Sequence, residues 1–138
     1  MGFKVVTGAP CSGKSTYVKA NKAEKDVVFD YDRVSEAITF QSEHTVNGRS
    51  YAHRFVMNMR SSFISTAKKG DHAAENLWFI ITNLTESVRS WLSPLKPEYI
   101  EMKASEDECL QRLAADDSRP DKDSWSEVIK KWFSDNQK

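Results

Sequence analysis

The sequence predicts an α/β domain built on a parallel sheet, and three observations carry that expectation. Short apolar runs alternate with amphipathic stretches along the whole chain, as strands joined by crossover helices do. The run Leu77-Trp78-Phe79-Ile80-Ile81 is apolar at every position, the pattern of a strand covered on both faces. Residues 8 to 15, Gly-Ala-Pro-Cys-Ser-Gly-Lys-Ser, fit the phosphate-binding pattern GxxxxGK followed by Ser or Thr, placed where a first strand ends. Those four specified positions recur by chance in roughly one chain in two hundred of this size, so phosphate binding outweighs a glycine-rich turn that binds nothing.

In chain order, Phe3 to Thr7 reads as the first strand, and Lys14 to Lys22, with Tyr17 and Val18, as a short helix. Val27 to Phe29 is a short second strand, followed by Asp30-Tyr31-Asp32 and an amphipathic turn through Val34, Ala37 and Ile38, a helix beginning near Arg33 that Asp32 would cap. Gln41 to Ser50 is polar, contains the turn pair Asn47-Gly48 and is expected to be a mobile loop. Tyr51, Phe55, Met59, Phe63 and Ala67, with Val56 alongside, form a helical stripe ending at Lys68-Lys69-Gly70, a C-terminal signature. Asn76 to Thr82 is the third strand. Asn83 with Glu86 resembles a helix cap ahead of Leu84, Val88, Trp91 and Leu92, which Pro94 terminates.

Tyr99 to Met102 is the fourth strand, and Ser105 with Glu108 is a capping box opening a helix that runs to Ala115. Asp116 to Asp123 is charged. Ser124 with Glu127 opens a last helix, in which Trp125, Val128, Ile129, Trp132 and Phe133 share one face. Such regular spacing predicts a packing face before it predicts a stacking platform for bases.

The 138 residues make one domain, 1–138, with no room for a second. Twenty basic and twenty acidic side chains cancel, which excludes a global field toward nucleic acid or an anionic membrane and leaves only a local basic groove. No apolar stretch approaches the ~20 residues of a membrane span, and the N-terminus enters a strand directly, so a cytoplasmic location with no membrane partner is expected. Cys11 and Cys109 are expected as free thiols, because a disulfide at Cys11 would obstruct the phosphate loop. His44, His53 and His72 are too scattered for a zinc site.

The loop spacing has a chemical reason. Gly8 and Gly13 let the backbone curl so that successive N–H groups point at an anion, and the following helix adds its partial positive charge. Lys14 is expected on the β- and γ-phosphates, Ser15 on a Mg²⁺ ion and Thr16 on the α-phosphate, with Ala9, Pro10, Cys11 and Ser12 as the lip of the loop. The third strand ends Ile81-Thr82-Asn83, without the strand-end acid of many NTP-hydrolysing machines. No NKxD element for guanine is present either. The informative acids are Asp30 and Asp32, at the end of a parallel strand that opens onto the same crevice. One of them would orient an attacking hydroxyl, and Asp30 is the second candidate metal ligand. Arg112 and Arg119 flank a charged segment expected to act as a lid, with Arg119 over the transferring phosphoryl group and Arg112 either on the nucleotide or a surface cation. Arg33, His53, Arg54 and Arg60 are candidates to face an acceptor, although surface charge is the commoner role for such residues.

Four segments together give the chain a family resemblance: residues 8–16, Phe29-Asp30-Tyr31-Asp32-Arg33, Ile81-Thr82-Asn83-Leu84, and Arg112 to Arg119. It resembles the small P-loop kinases, particularly the kinase domain of phage-type polynucleotide kinases and the short ATP-binding proteins encoded by many phages. The resemblance covers nearly the whole chain, and only the first segment is specific alone. It implies a three-layer α/β/α fold with strand order 2-3-1-4, ATP and Mg²⁺ as cofactors, and a nucleotide or nucleic-acid-end acceptor. It further implies Asp32 as general base, with Asp30 as the fallback. The competing expectation is a protein that binds or weakly hydrolyses ATP for a regulatory purpose, with Asp32 serving only as a helix cap.

Overall fold

In the computed structural model, which describes residues 2–136, the apolar runs form strands β1 (Gly2–Thr7), β2 (Val27–Phe29), β3 (Asn76–Ile81) and β4 (Glu98–Glu101). They make one sheet in the order β2-β3-β1-β4, with every neighbouring pair parallel. β1 and β3 run in register from Gly2 opposite Asn76 to Thr7 opposite Ile81, so the two central strands end together. Gly8, Asp30 and Thr82, which follow β1, β2 and β3, are thereby gathered at the C-terminal edge, where α/β sheets present ligand crevices.

Strand alternation sends Phe3, Val5, Phe29, Leu77 and Phe79 to one face, against α3 (His53–Lys69), α4 (Glu86–Leu92) and Val34 of α2 (Tyr31–Thr39). The rings of Phe3, Phe29, Phe63 and Phe79 pack there with centroids 5.8–6.4 Å apart. Val6, Trp78 and Ile80 face the other way, onto Tyr17 and Val18 of α1 (Lys14–Asn21). The apolar run of β3 is therefore covered on both faces. After β4, α5 (Glu106–Ala115) and α6 (Lys122–Asn136) close a separate cluster of Cys109, Leu113 and Ile129 around Ala9. The last two helices thus prop the loop of residues 8–13. The face of Trp125, Trp132 and Phe133 packs as expected, and Ser105 and Glu108 form both halves of the capping box.

One buried carboxylate ties the opposite edge of the sheet. Asp26 accepts from Trp78 Nε1 at 2.9 Å, from the Ala23 N–H at 2.9 Å, and from the Asn76 backbone and side-chain N–H groups at 3.0 and 3.1 Å. Burial by itself would raise its pKa. The donors, Trp78 first, outweigh that and hold it below the ordinary carboxyl value.

Several expectations are corrected. α2 begins at Tyr31 and is capped by Asp30, whose Oδ1 accepts from the Asp32 N–H at 3.1 Å; the chain passes straight from β2 into the helix, which leaves Asp32 in its first turn. α4 is capped by Thr85, not Asn83. α6 opens two residues before Ser124, because the Trp125 N–H already reaches Asp121 O at 3.1 Å. The α3 stripe fails at its N-terminal end, where Tyr51 and Phe55 are 65% and 66% exposed. Steps of four residues drift by about 40° each on a helix of 3.6 residues per turn. Tyr51 and Ala67 therefore cannot share a face, and the buried set is Val56, Ile64 and Ala67.

The 41–50 loop also departs from expectation, since it is fastened across the molecule. The His44 N–H donates to Ser118 O, Trp125 Nε1 to His44 O, and the Val46 N–H to Asp121 Oδ2 at 2.9 Å. Among the described residues no helix is long and apolar enough to cross a membrane.

Candidate active site

The loop after β1 is shaped by its backbone. Gly8 has φ +155°, and a Cβ there would lie 2.8 Å from Ser12 Oγ and 3.0–3.1 Å from Met102 Cβ and O. Met102 is held in place by its own N–H, which donates to Thr7 O at 2.8 Å. Cys11 and Gly13 take left-handed conformations, φ +63° and +91°, and between them the Ser12 N–H donates to Ala9 O at 3.1 Å. Gly13 offers no side chain to cap α1, and the first turn of that helix holds no acid. The N–H groups of Lys14, Ser15 and Thr16 are thus left for an external anion.

Lys14 lies along this loop, its Nζ donating to Gly8 O at 2.9 Å and Ala9 O at 2.7 Å. An ammonium has three N–H donors, so one remains. Burial, and then the nearby Arg119 guanidinium, lower its pKa to about 8, although Asp32 and Asp30 pull the other way. Cys11 is a free thiol whose pKa is raised, chiefly by burial.

Ser15 Oγ donates to Asp30 Oδ2 at 2.7 Å. Asp30 is buried, so a single carboxylate caps α2 through Oδ1 and meets Ser15 through Oδ2. A hydroxyl and a carboxylate oxygen this close suit one hard cation that takes its remaining ligands from phosphate and water, as Mg²⁺ does. Among the described residues no three His, Cys, Asp or Glu side chains converge as an all-protein metal cage.

One cleft of about 850 Å³ joins these parts. It is lined by Pro10 to Thr16, by Asp30 and Asp32, and by Arg119. Gly8 and Ala9 lie buried beneath the lip and contribute the carbonyls that hold Lys14. Arg119 is 12% exposed, stands 4.2 Å from the Trp125 ring and has Nε 3.2 Å from Asp116 Oδ2. That contact is poorly aligned, and both Nε and Nη1 are buried without a hydrogen-bond acceptor. Ser12 Oγ is likewise buried and unpaired. Arg112 stays outside, exposed, with Nη1 3.4 Å from Cys11 O, so it braces the loop from behind.

Asp32 is freed from capping by Asp30 and lies in the cleft wall. Arg49, which drew no attention in the sequence, is buried beside it: Nη2 lies 3.8 Å from Asp32 Oδ1, and Nη1 donates to Asp32 O at 3.3 Å and Gln41 O at 3.1 Å. Nothing in the local pattern marks Arg49, because its partners lie 8 and 17 residues away. Of the four acceptor-side candidates, Arg33, His53 and Arg60 line the cleft and Arg54 does not. Tyr31, another residue the sequence did not single out, bonds through its hydroxyl to His53 Nδ1 at 2.7 Å. Comparison with protein-family models and with the curated proteins found no match to the chain.

Proposed function

We propose that the chain is a small P-loop kinase that transfers the γ-phosphoryl group of ATP to a hydroxyl or phosphate of a nucleotide or nucleic-acid end, in the manner of a polynucleotide 5′-hydroxyl kinase. The observation that carries this is the one cleft that brings together a loop with uncapped helix N–H groups, the Asp32 carboxylate, released from capping and 3.8 Å from Arg49, and the buried Arg119 guanidinium, which sits against Asp116 with N–H donors left over. A protein that only binds nucleotide needs the first of these and not the other two.

In this proposal the loop N–H groups and the remaining Lys14 donor hold the ATP phosphates. Ser15 and Asp30 would hold Mg²⁺, which supplies charge neutralisation on the phosphates when bound. Asp32 accepts the proton of the acceptor hydroxyl as that oxygen attacks the γ-phosphorus and the bond to ADP breaks. The products are ADP, the phosphorylated acceptor and one proton. Arg119, which lines the cleft, faces the charge spread over the phosphoryl oxygens in flight.

The regulatory alternative assigned Asp32 to capping, and Asp30 fills that role. Labelled ATP offered with 5′-hydroxyl oligonucleotides, nucleosides and nucleotides is the test. Transfer to at least one class of acceptor is expected, and transfer to none would remove the kinase proposal.

A further inference from the structure

The loop of residues 41–49 reaches from one wall of the cleft to the other. At its neck Arg49 is 8% exposed, and its Nη1 donates to Gln41 O at 3.1 Å, closing the loop on itself, and to Asp32 O at 3.3 Å on α2. At its tip the His44 N–H donates to Ser118 O, Trp125 Nε1 to His44 O, and the Val46 N–H to Asp121 Oδ2 at 2.9 Å. Ser42 and His44 from the loop, and Ser118 and Trp125 from the opposite wall, line the same cleft as Lys14. The tip is therefore a bridge between the walls of the site.

Neck and tip are held by different means. Among the described residues, none from 41 to 48 joins the three apolar clusters, so polar contacts alone fasten the tip. The junction is also incompletely paired, because His44 Nδ1 and Asp121 Oδ1 are buried there without a hydrogen-bond partner. Both atoms regain a partner from water when the junction parts, which offsets part of the cost of the bonds that parting breaks. A segment held in this way opens at a free energy below that of the packed sheet. Phe40, with φ +59° and 94% exposed, leads into the loop, so the tip swings without moving a core side chain.

We propose that the 41–49 loop is a gate: its tip parts from the 116–125 segment to admit a nucleotide to the cleft and fastens again behind it, while Arg49 keeps the neck on α2. The nucleotide rests on the binding half of the proposed function; the opening of the loop does not. A gate that fastens alike over an empty and a filled cleft sets how fast a nucleotide enters and leaves, and not how tightly it binds. Its bonds open together, so loosening one frees the others.

Asp121 is the handle, because it holds Val46 without lining the cleft itself. Asp121→Ala removes the acceptor of the Val46 N–H, and Asp121→Asn keeps a carbonyl oxygen there. In the full chain, hydrogen exchange at His44 should proceed through a local opening that denaturant does not promote, whereas Phe79 in β3 exchanges only by global unfolding. Asp121→Ala should speed exchange at His44, whose own bond to Ser118 O it does not touch, by about tenfold or more and by a larger factor than at Phe79. With a fluorescent, non-hydrolysable ATP analogue in stopped flow, association and dissociation rates should both rise by about that same factor, leaving Kd within about twofold, and Asp121→Asn should stay near wild type. Exchange at His44 only by global unfolding, a speed-up confined to Val46, or an association rate that does not rise overturns the gate. If Asp121→Ala does not fold, the exchange pattern of the wild-type chain decides. Failure of the proposed function would appear separately, as an analogue that does not bind while the exchange pattern holds.

Discussion

In the proposed function, Lys14 makes nucleotide affinity depend on pH in a way the site geometry quantifies. Its ammonium has a pKa of about 8 in the free protein because it is buried beside Arg119. A polyphosphate against the ammonium favours the charged form, and the bound value should return at least to the ordinary 10.5. Between these limits each bound ligand takes up a proton. With a free pKa of about 8, some nine-tenths of the lysine is neutral at pH 9, so Kd should rise about tenfold between pH 7 and 9 and continue upward toward 10.5. The whole window corresponds to about 3 kcal/mol of binding free energy. The terminal phosphate, with a second pKa of about 6, is some nine-tenths ionised at pH 7 and more above it, so it adds little slope.

Isothermal titration with ATP across pH 7–10, in two buffers of different ionisation enthalpy, measures both the slope and the proton uptake. Lys14→Arg, charged at every pH, should bind without the slope. In the free protein the sign reverses: between about 8 and 10.5 the unfolded chain holds the extra proton, so this residue makes the fold more stable as pH rises. A flat Kd from pH 7 to 10, or a slope retained in Lys14→Arg, would refute the assignment of Lys14 to the ligand.

Three further perturbations follow from the same geometry. Gly8→Ala places a Cβ against Ser12 Oγ and the Met102 backbone at a strained φ, and should cost about 2–3 kcal/mol in urea unfolding and abolish ATP binding by calorimetry. Arg119→Met should lower kcat by about a hundredfold or more with a small change in the KM for ATP. Because Arg119 helps depress Lys14, the same variant should move the midpoint of the affinity profile above 8. Asp26→Asn faces one amide hydrogen-bearing nitrogen toward donors and should cost about 3 kcal/mol of unfolding free energy. The stabilisation from Asp26 is present above the ordinary carboxyl pKa of 3.8 and lost as pH falls through its lowered folded value, so acid unfolding followed by circular dichroism should lose that limb in the variant.

What could be read from the sequence was what local chemistry dictates. The glycines of the loop, the uninterrupted apolar β3 and the Ser105–Glu108 box each act within a few residues, and all three appear in the fold. The resemblance supplied the strand order. The α3 stripe failed because a four-residue step looks helical over two turns and drifts off the face over four. Asp30 and Asp32 exchanged the capping role because a helix boundary displaced by two residues changes which carboxylate is spent on the backbone. Arg49 and the Tyr31–His53 pair could not be read at all, since each depends on where the 41–50 loop and the start of α3 return in space. Arg119 was marked by its charged segment, but its burial against Trp125 depends on how α6 packs.

The central claim is that this cleft moves a phosphoryl group to a second molecule. With γ-labelled ATP and the best acceptor of the panel, the partition of label between acceptor and inorganic phosphate measures it directly, in the wild-type chain and in Asp32→Asn. Most of the label should reach the acceptor, and Asp32→Asn should slow that transfer by about 10²–10⁴-fold with ATP binding retained. Label found only in inorganic phosphate, released at a rate indifferent to Asp32→Asn, would contradict it.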